Sequence, residues 1–225
     1  MALSVLMLGL AYSIAIPFLS LYALTEVHMS TSQFGLYLAS TAISGVIASM
    51  AMGKWSDSGV SRERLIMLCL VAGMLGYIVF SQTKDFLVVM LTALVLGSIG
   101  GTAFSQMLAL TRTRLEIAQV KEMTLATSSV RMFFSLAWVL GPVMGAMVLS
   151  NYHFRGVFLT TVVLLLLVFA MVLWLPKVLV NGPAPKAQAV RQMALWRHLR
   201  DSRIAFSVLA NGLGLWCGAI NQHLG

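Results

Sequence analysis

Phe86-Leu-Val-Val-Met-Leu-Thr-Ala-Leu-Val-Leu-Gly-Ser-Ile-Gly-Gly-Thr-Ala-Phe-Ser-Gln-Met-Leu-Ala-Leu110 runs without a single charged side chain. At 1.5 Å per residue a helix of this length is ~37 Å long, enough to cross a hydrocarbon core of about 30 Å. Lys84 and Asp85 stand just before the run and Arg112 just after it, so charge begins where the apolar segment stops. Lipid offers no water to satisfy free N–H and C=O groups, and an open sheet cannot make the crossing. The segment is read as a transmembrane helix.

The same pattern repeats in both directions. Further spans are predicted at 3–24, 34–52, 65–81, 124–149 and 156–175, and a seventh begins near Ile204 and is still apolar at Gly225. Composition agrees: 59% of the 225 residues are hydrophobic, 10% are charged, and the mean hydropathy is +0.90. A soluble domain carries about 25% charged residues, so this chain cannot cover a water-facing surface. Fifteen methionines and 18 glycines suit packed membrane helices, in which small residues let backbones approach. The fold class is all-α integral membrane. The N-terminus enters an apolar run directly and is read as a retained first helix, not a signal peptide.

The net charge of +8 does not point to nucleic acid, because the basic residues lie in short loops between apolar runs. There they set topology. With the N-terminus inside, twelve of the fifteen fall on the cytoplasmic side: Lys54, Arg62, Arg64, Arg112, Arg114, Lys121, Lys177, Lys186, Arg191, Arg197, Arg200 and Arg203. Lys84 and Arg155 fall outside, and Arg131 lies within the fifth span. Cys69 and Cys217 both sit in apolar segments, so no disulfide, metal site or cofactor is expected.

Residues 1–175 are expected to form a six-helix bundle and 176–203 a cytoplasmic linker. Residues 204–225 would open a seventh helix. The linker starts with Asn181-Gly-Pro-Ala-Pro185 and continues as a basic run in which Met193, Trp196 and Leu199 recur every third residue. That stripe is expected on the inner membrane surface, with its arginines near anionic lipid. Six helices, a basic linker and a further helix match the layout of a six-plus-six transporter, whose second half is a partner absent from this sequence.

The loop after the second span reads Gly53-Lys-Trp-Ser-Asp57-Ser-Gly59-Val-Ser-Arg62-Glu-Arg64. It resembles the loop signature of the major facilitator superfamily: a glycine, three residues, an acid, then a glycine and basic residues. It departs from that pattern at Ser58, which is not basic, and in the shifted Gly59. Gly53 would allow close helix approach, and Asp57 would join a switchable charge cluster at the inner gate. The plainer alternative is a polar loop with topology-setting cations. In the fifth span Gly141-Pro-Val-Met-Gly145 combines a bend at Pro142 with flanking small residues. Similar motifs are common among exporters of that superfamily, though a plain kink would look the same.

Arg131 lies about 10 Å into the fifth helix from its inner end. A cation at membrane depth costs at least ~2.5 kcal/mol and needs a reason. Ser135, Trp138 and Pro142 follow at four, seven and eleven residues and so share its face. A guanidinium, a hydroxyl and an aromatic ring on one face suit a sugar. The alternative has Arg131 snorkelling to the interface and Trp138 packing. Tyr12, Ser13 and Tyr22 in the first span are weaker candidates.

Residues 128–142 and Thr102-Ala-Phe-Ser-Gln106-Met-Leu-Ala-Leu-Thr-Arg112 resemble the bacterial sugar efflux transporters, as do Pro17-Phe-Leu-Ser-Leu-Tyr22 and Ser56-Asp57-Ser58. The similarity covers most of 1–176. It implies a twelve-helix inner-membrane exporter of small sugars or glycosides, an antiporter driven by the proton gradient. Carried over by position, Arg131 and Gln106 become cavity candidates, and Asp57 and Arg112 inner-gate charges. Gln106 could instead only tie helices together. All seven acids (Glu26, Asp57, Glu63, Asp85, Glu116, Glu122 and Asp201) fall in loops or at helix ends. A proton relay at mid-membrane is therefore not evident in this half, and a lipophilic cation is disfavoured as substrate. The expectation is efflux of a neutral sugar or glycoside, with Arg131, Gln106, Ser135 and Trp138 as contacts. The rivals are a drug exporter of the same fold and a truncated, non-transporting fragment. A membrane enzyme is not expected, because the histidines are scattered and the acids are confined to loops.

Overall fold

The computed structural model describes residues 2–117 and 123–174, and nearly all of them are helical. The linker at 176–203, the start of a seventh span and the last residue of the sixth fall outside the described residues.

Helix α1 is Ala2–Thr25. Helix α2, Thr31–Asp57, starts three residues before its apolar run because Ser30 and Gln33 form a reciprocal capping box. Helix α3 is Arg62–Gln82. Helix α4 (86–117) opens where Asp85 accepts the N–H groups of Leu87 and Val88 at 2.9 and 3.0 Å. It is not uniform: a π-helical turn occupies Ala93–Gly97, and a tight turn at Thr102 separates Ser98–Gly101 from Ala103–Ile117. The observed helices outrun the expected spans because capping residues and first turns are polar, and an apolar count misses them.

Among the described residues five continuous helical runs are long and apolar enough to cross a membrane. The last of them is double. Met123–Trp174 holds 52 residues, ~78 Å of helix, more than twice the hydrocarbon thickness. His153, with φ 56° and ψ −171°, breaks it into α5 (123–152) and α6 (154–174). The expected gap between the fifth and sixth spans thus shrinks to one residue.

Contacts fix the helix directions. Ser13 and Ile14 of α1 meet Gly141 and Gly145 of α5, and Gly9 meets Phe134 and Ala137, so these helices run parallel. Along α6 the order reverses: Ser4 Oγ donates to Met171 Sδ at 3.7 Å, while the Tyr22 ring lies against Phe154 and Phe158. Helices α3 and α4 are antiparallel, with Cys69 beside Thr102, Gly73 against Gly100 and Gly76 against Leu96. At Gly100 a Cβ would lie 2.8 Å from Gly73 Cα, so two glycines let these backbones touch. The core lies between α1, α3, α4 and α6, whereas α2 is mostly open to its surroundings.

Two ends can be told apart. At one, Tyr22, Tyr77, Phe80, Phe154 and Phe158 form an aromatic cluster, and Lys84 pairs with Glu26. At the other, Arg114 at the end of α4 pairs with Glu63 at the start of α3, 3.2 Å apart and largely shielded. The second end also carries Lys54, Arg62, Arg64 and Arg112.

Candidate functional site

Helix α5 presents two faces. Val130, Ala137, Gly141 and Gly145 are buried, and the last three pack on α1. A Cβ at Gly141 would collide with Ser13, and one at Gly145 would lie 2.8 Å from the Ile14 carbonyl oxygen and 2.5 Å from the Phe18 ring. The same closeness lets Ser13 Oγ donate to the Ala137 carbonyl at 2.8 Å. Pro142 is half-buried beside this contact.

The next stripe around the helix is open. Arg131, Ser135 and Trp138 are all exposed in the described unit, Trp138 by 39%. Arg131 makes neither an ion pair nor a hydrogen bond among the described residues; the ion pairs found there are Glu26–Lys84 and Glu63–Arg114. An aromatic ladder adjoins the stripe. Phe134 stacks on Phe104 of α4 with centroids 3.8 Å apart, and Trp138 tilts against Phe134 at 6.3 Å. Sequence reading missed Phe104 and Phe134, because stacking across two helices leaves no spacing signal in either.

Gln106 of α4 is 7% exposed, and its Oε1 is buried with no hydrogen-bond partner. Arg131 therefore does not reach it. The open stripe of α5 holds Arg131, Ser135 and Trp138 together, while Gln106 faces into the bundle. Tyr12 is structural in this geometry: its hydroxyl donates to the Gly100 carbonyl at 2.6 Å, beside the irregular part of α4. Tyr22 likewise donates to main-chain carbonyls, those of Phe80 and Thr83.

Asp57 is the last residue of α2, and Arg112 is exposed near the end of α4. The ion pair that joins α3 to α4 at this end is Glu63–Arg114, which motif reading did not single out. No described residue makes the close approach expected at Gly53, where a Cβ would meet nothing within 4 Å. Among the described residues no group of His, Cys, Asp and Glu could hold a metal ion. A shallow apolar groove lined by Tyr152, Gly156, Leu159, Thr160 and Val163 contains none of the candidate residues.

The sequence profile of the Major Facilitator Superfamily matches residues 1–224. The chain belongs to this superfamily. A Deinococcus radiodurans protein carrying a provisional sugar efflux transporter name is 39% identical over 185 residues, covering 82% of this chain and 46% of its own length. Sugar efflux transporter B of Salmonella typhimurium is 29% identical over 200 residues, covering 89% of this chain and 50% of its own. Sugar efflux transporter A of Escherichia coli is 27% identical over 214 residues, covering 95% and 54%. The chain spans about half the length of the curated relatives it matches. As a major facilitator chain it is a multi-pass membrane protein of the transporter class, and its resemblance to sugar efflux transporters holds along most of its length.

Proposed function

We propose that this chain supplies the first six helices of a secondary transporter that exports small sugars or glycosides by alternating access across a bacterial inner membrane. The observation that carries the reading is the open stripe of α5. Arg131 offers donors unengaged among the described residues, Ser135 a hydroxyl and Trp138 an apolar ring face, the groups a pyranose needs on its hydroxyl edge and its flat face. A cation at this depth faces a cavity or a partner rather than lipid. In this reading the first six helices form one half of an alternating-access carrier, and the open stripe of α5 lines its substrate path. Gln106 is a deeper contact, whose free Oε1 accepts a sugar hydroxyl once α4 shifts enough to admit it. Asp57 and Arg112 act as inner-gate charges beside the Glu63–Arg114 pair, and the basic end faces the cytoplasm. Any proton coupling falls to groups at helix ends, such as Glu26 and Asp57, or to residues beyond those described.

The test is loss of a labelled galactoside or glucoside from preloaded cells that express the gene through its natural stop codon. Arg131→Ala is expected to cut the rate at least about tenfold, the worth of a charge-assisted hydrogen bond, at equal membrane expression. Equal loss from both would return Arg131 to an interfacial anchor and keep the export. No added loss across a panel of sugars would sink the sugar reading. The Gly141-Pro142-Gly145 motif would then favour the second reading, a drug exporter of the same fold, read by a drug-susceptibility screen.

A further inference from the structure

Arg131 has a charge as well as donors, and the two make different demands. Neutral hydroxyls satisfy its N–H groups but leave the positive charge unbalanced within a spanning segment. Intramembrane cations are ordinarily paired with an opposite charge. Here the two carboxylates found in ion pairs, Glu26 and Glu63, are committed to Lys84 and Arg114 at opposite ends of the bundle. Along α5 itself, from 123 to 152, there is no acid at all. Among the described residues, those that share or adjoin the open face are Ser135, Trp138 and the Phe104–Phe134 stack, and none of them carries charge.

We propose that the substrate brings the missing charge: the site takes a sugar or glycoside bearing a carboxylate, which Arg131 grips with two parallel N–H donors while Trp138 covers the apolar face of the ring. This rests on the sugar-export reading above and replaces the neutral substrate with an anionic one. A planar guanidinium fork matches a carboxylate better than it matches any pair of ring hydroxyls. The anionic charge also bears on energetics. Under an inside-negative potential of about 100 mV, a monovalent anion is driven outward by a concentration factor of about 50. Export of the anion then draws on the membrane potential itself.

The experiment uses a matched pair, 4-nitrophenyl β-D-glucuronide and 4-nitrophenyl β-D-glucoside, which differ only in a carboxylate at C6. Proteoliposomes holding the protein from its full reading frame are loaded with one or the other. The interior is set by potassium and valinomycin to zero or to a negative potential. The wild type should release the glucuronide faster, and a negative interior should speed that release but not release of the glucoside. Arg131→Gln should lower the glucuronide-to-glucoside rate ratio about tenfold, and Arg131→Lys, which keeps the charge, should restore part of it. A ratio that is unmoved by Arg131→Gln, or glucoside release that is equal or faster in the wild type, overturns the anionic substrate and leaves sugar export standing. Release of neither compound, with protein shown in the vesicles, overturns both.

Discussion

At the scale of single residues, glycine positions that look alike in sequence have different fates. Gly53 and Gly141 both belong to motifs of small residues beside a helix end or bend. In the structure Gly141 is pressed on Ser13, whereas Gly53 faces open space within 4 Å. Gly141→Ala should therefore push α1 from α5 and cost about 1–3 kcal/mol, seen as a lowered Tm in detergent. Gly53→Ala should leave Tm within a degree or two or raise it slightly, since alanine is the better helix former. The same scale separates Gln106 from Arg131. Both are polar residues in apolar spans, and the resemblance makes both of them cavity candidates. Burial inside the bundle distinguishes Gln106, and which side of α4 faces the neighbours is not written in α4 alone.

At the scale of elements, helix existence follows from the apolar runs, and helix ends follow from capping. The Ser30/Gln33 box starts α2 three residues outside the apolar stretch that reveals it, and the Asp85 cap starts α4 where its apolar stretch begins. The join of α5 to α6 is different. His153 adopts φ 56° and ψ −171°, a region that glycine enters freely and other residues enter at a cost of about 1–3 kcal/mol. His153→Gly should therefore raise stability by about 1 kcal/mol, measured as a higher midpoint on thermal denaturation in detergent, and His153→Val should lower it. An unchanged midpoint for His153→Gly beside a lowered one for His153→Val would mean that the histidine side chain offsets its own backbone strain. The interruption of α4 at Ala93–Gly97 and Thr102 was likewise not legible. It depends on Gly73 letting Gly100 approach and on Tyr12 reaching the Gly100 carbonyl, contacts made by other helices.

At the scale of the whole molecule, the asymmetry of charge makes a testable claim about orientation. The basic end, with Lys54, Arg62, Arg64, Arg112 and Arg114, should face the cytoplasm. Alkaline phosphatase fused after residues 28, 84 or 153 should be active, and fused after 59 or 120 it should be silent, with green fluorescent protein fusions giving the opposite pattern. A reversed result would put the basic end outside and overturn the assignment of Asp57 and Arg112 to the inner gate.

By itself the sequence determined that the chain is a bundle of membrane helices, where its apolar runs lie, and to which superfamily it belongs. Each of these depends on local composition: an apolar run of sufficient length must be helical in lipid wherever it packs. Only the tertiary structure decided which face of each helix is shared. It set Gly141 against Ser13, stacked Phe104 on Phe134, buried Gln106 and left Arg131 open. In lipid an apolar face carries no preference for protein over bilayer, so hydrophobic patterning does not mark the packed side. Close approach and hydrogen bonding between helices choose it, and those arise only when the helices are brought together.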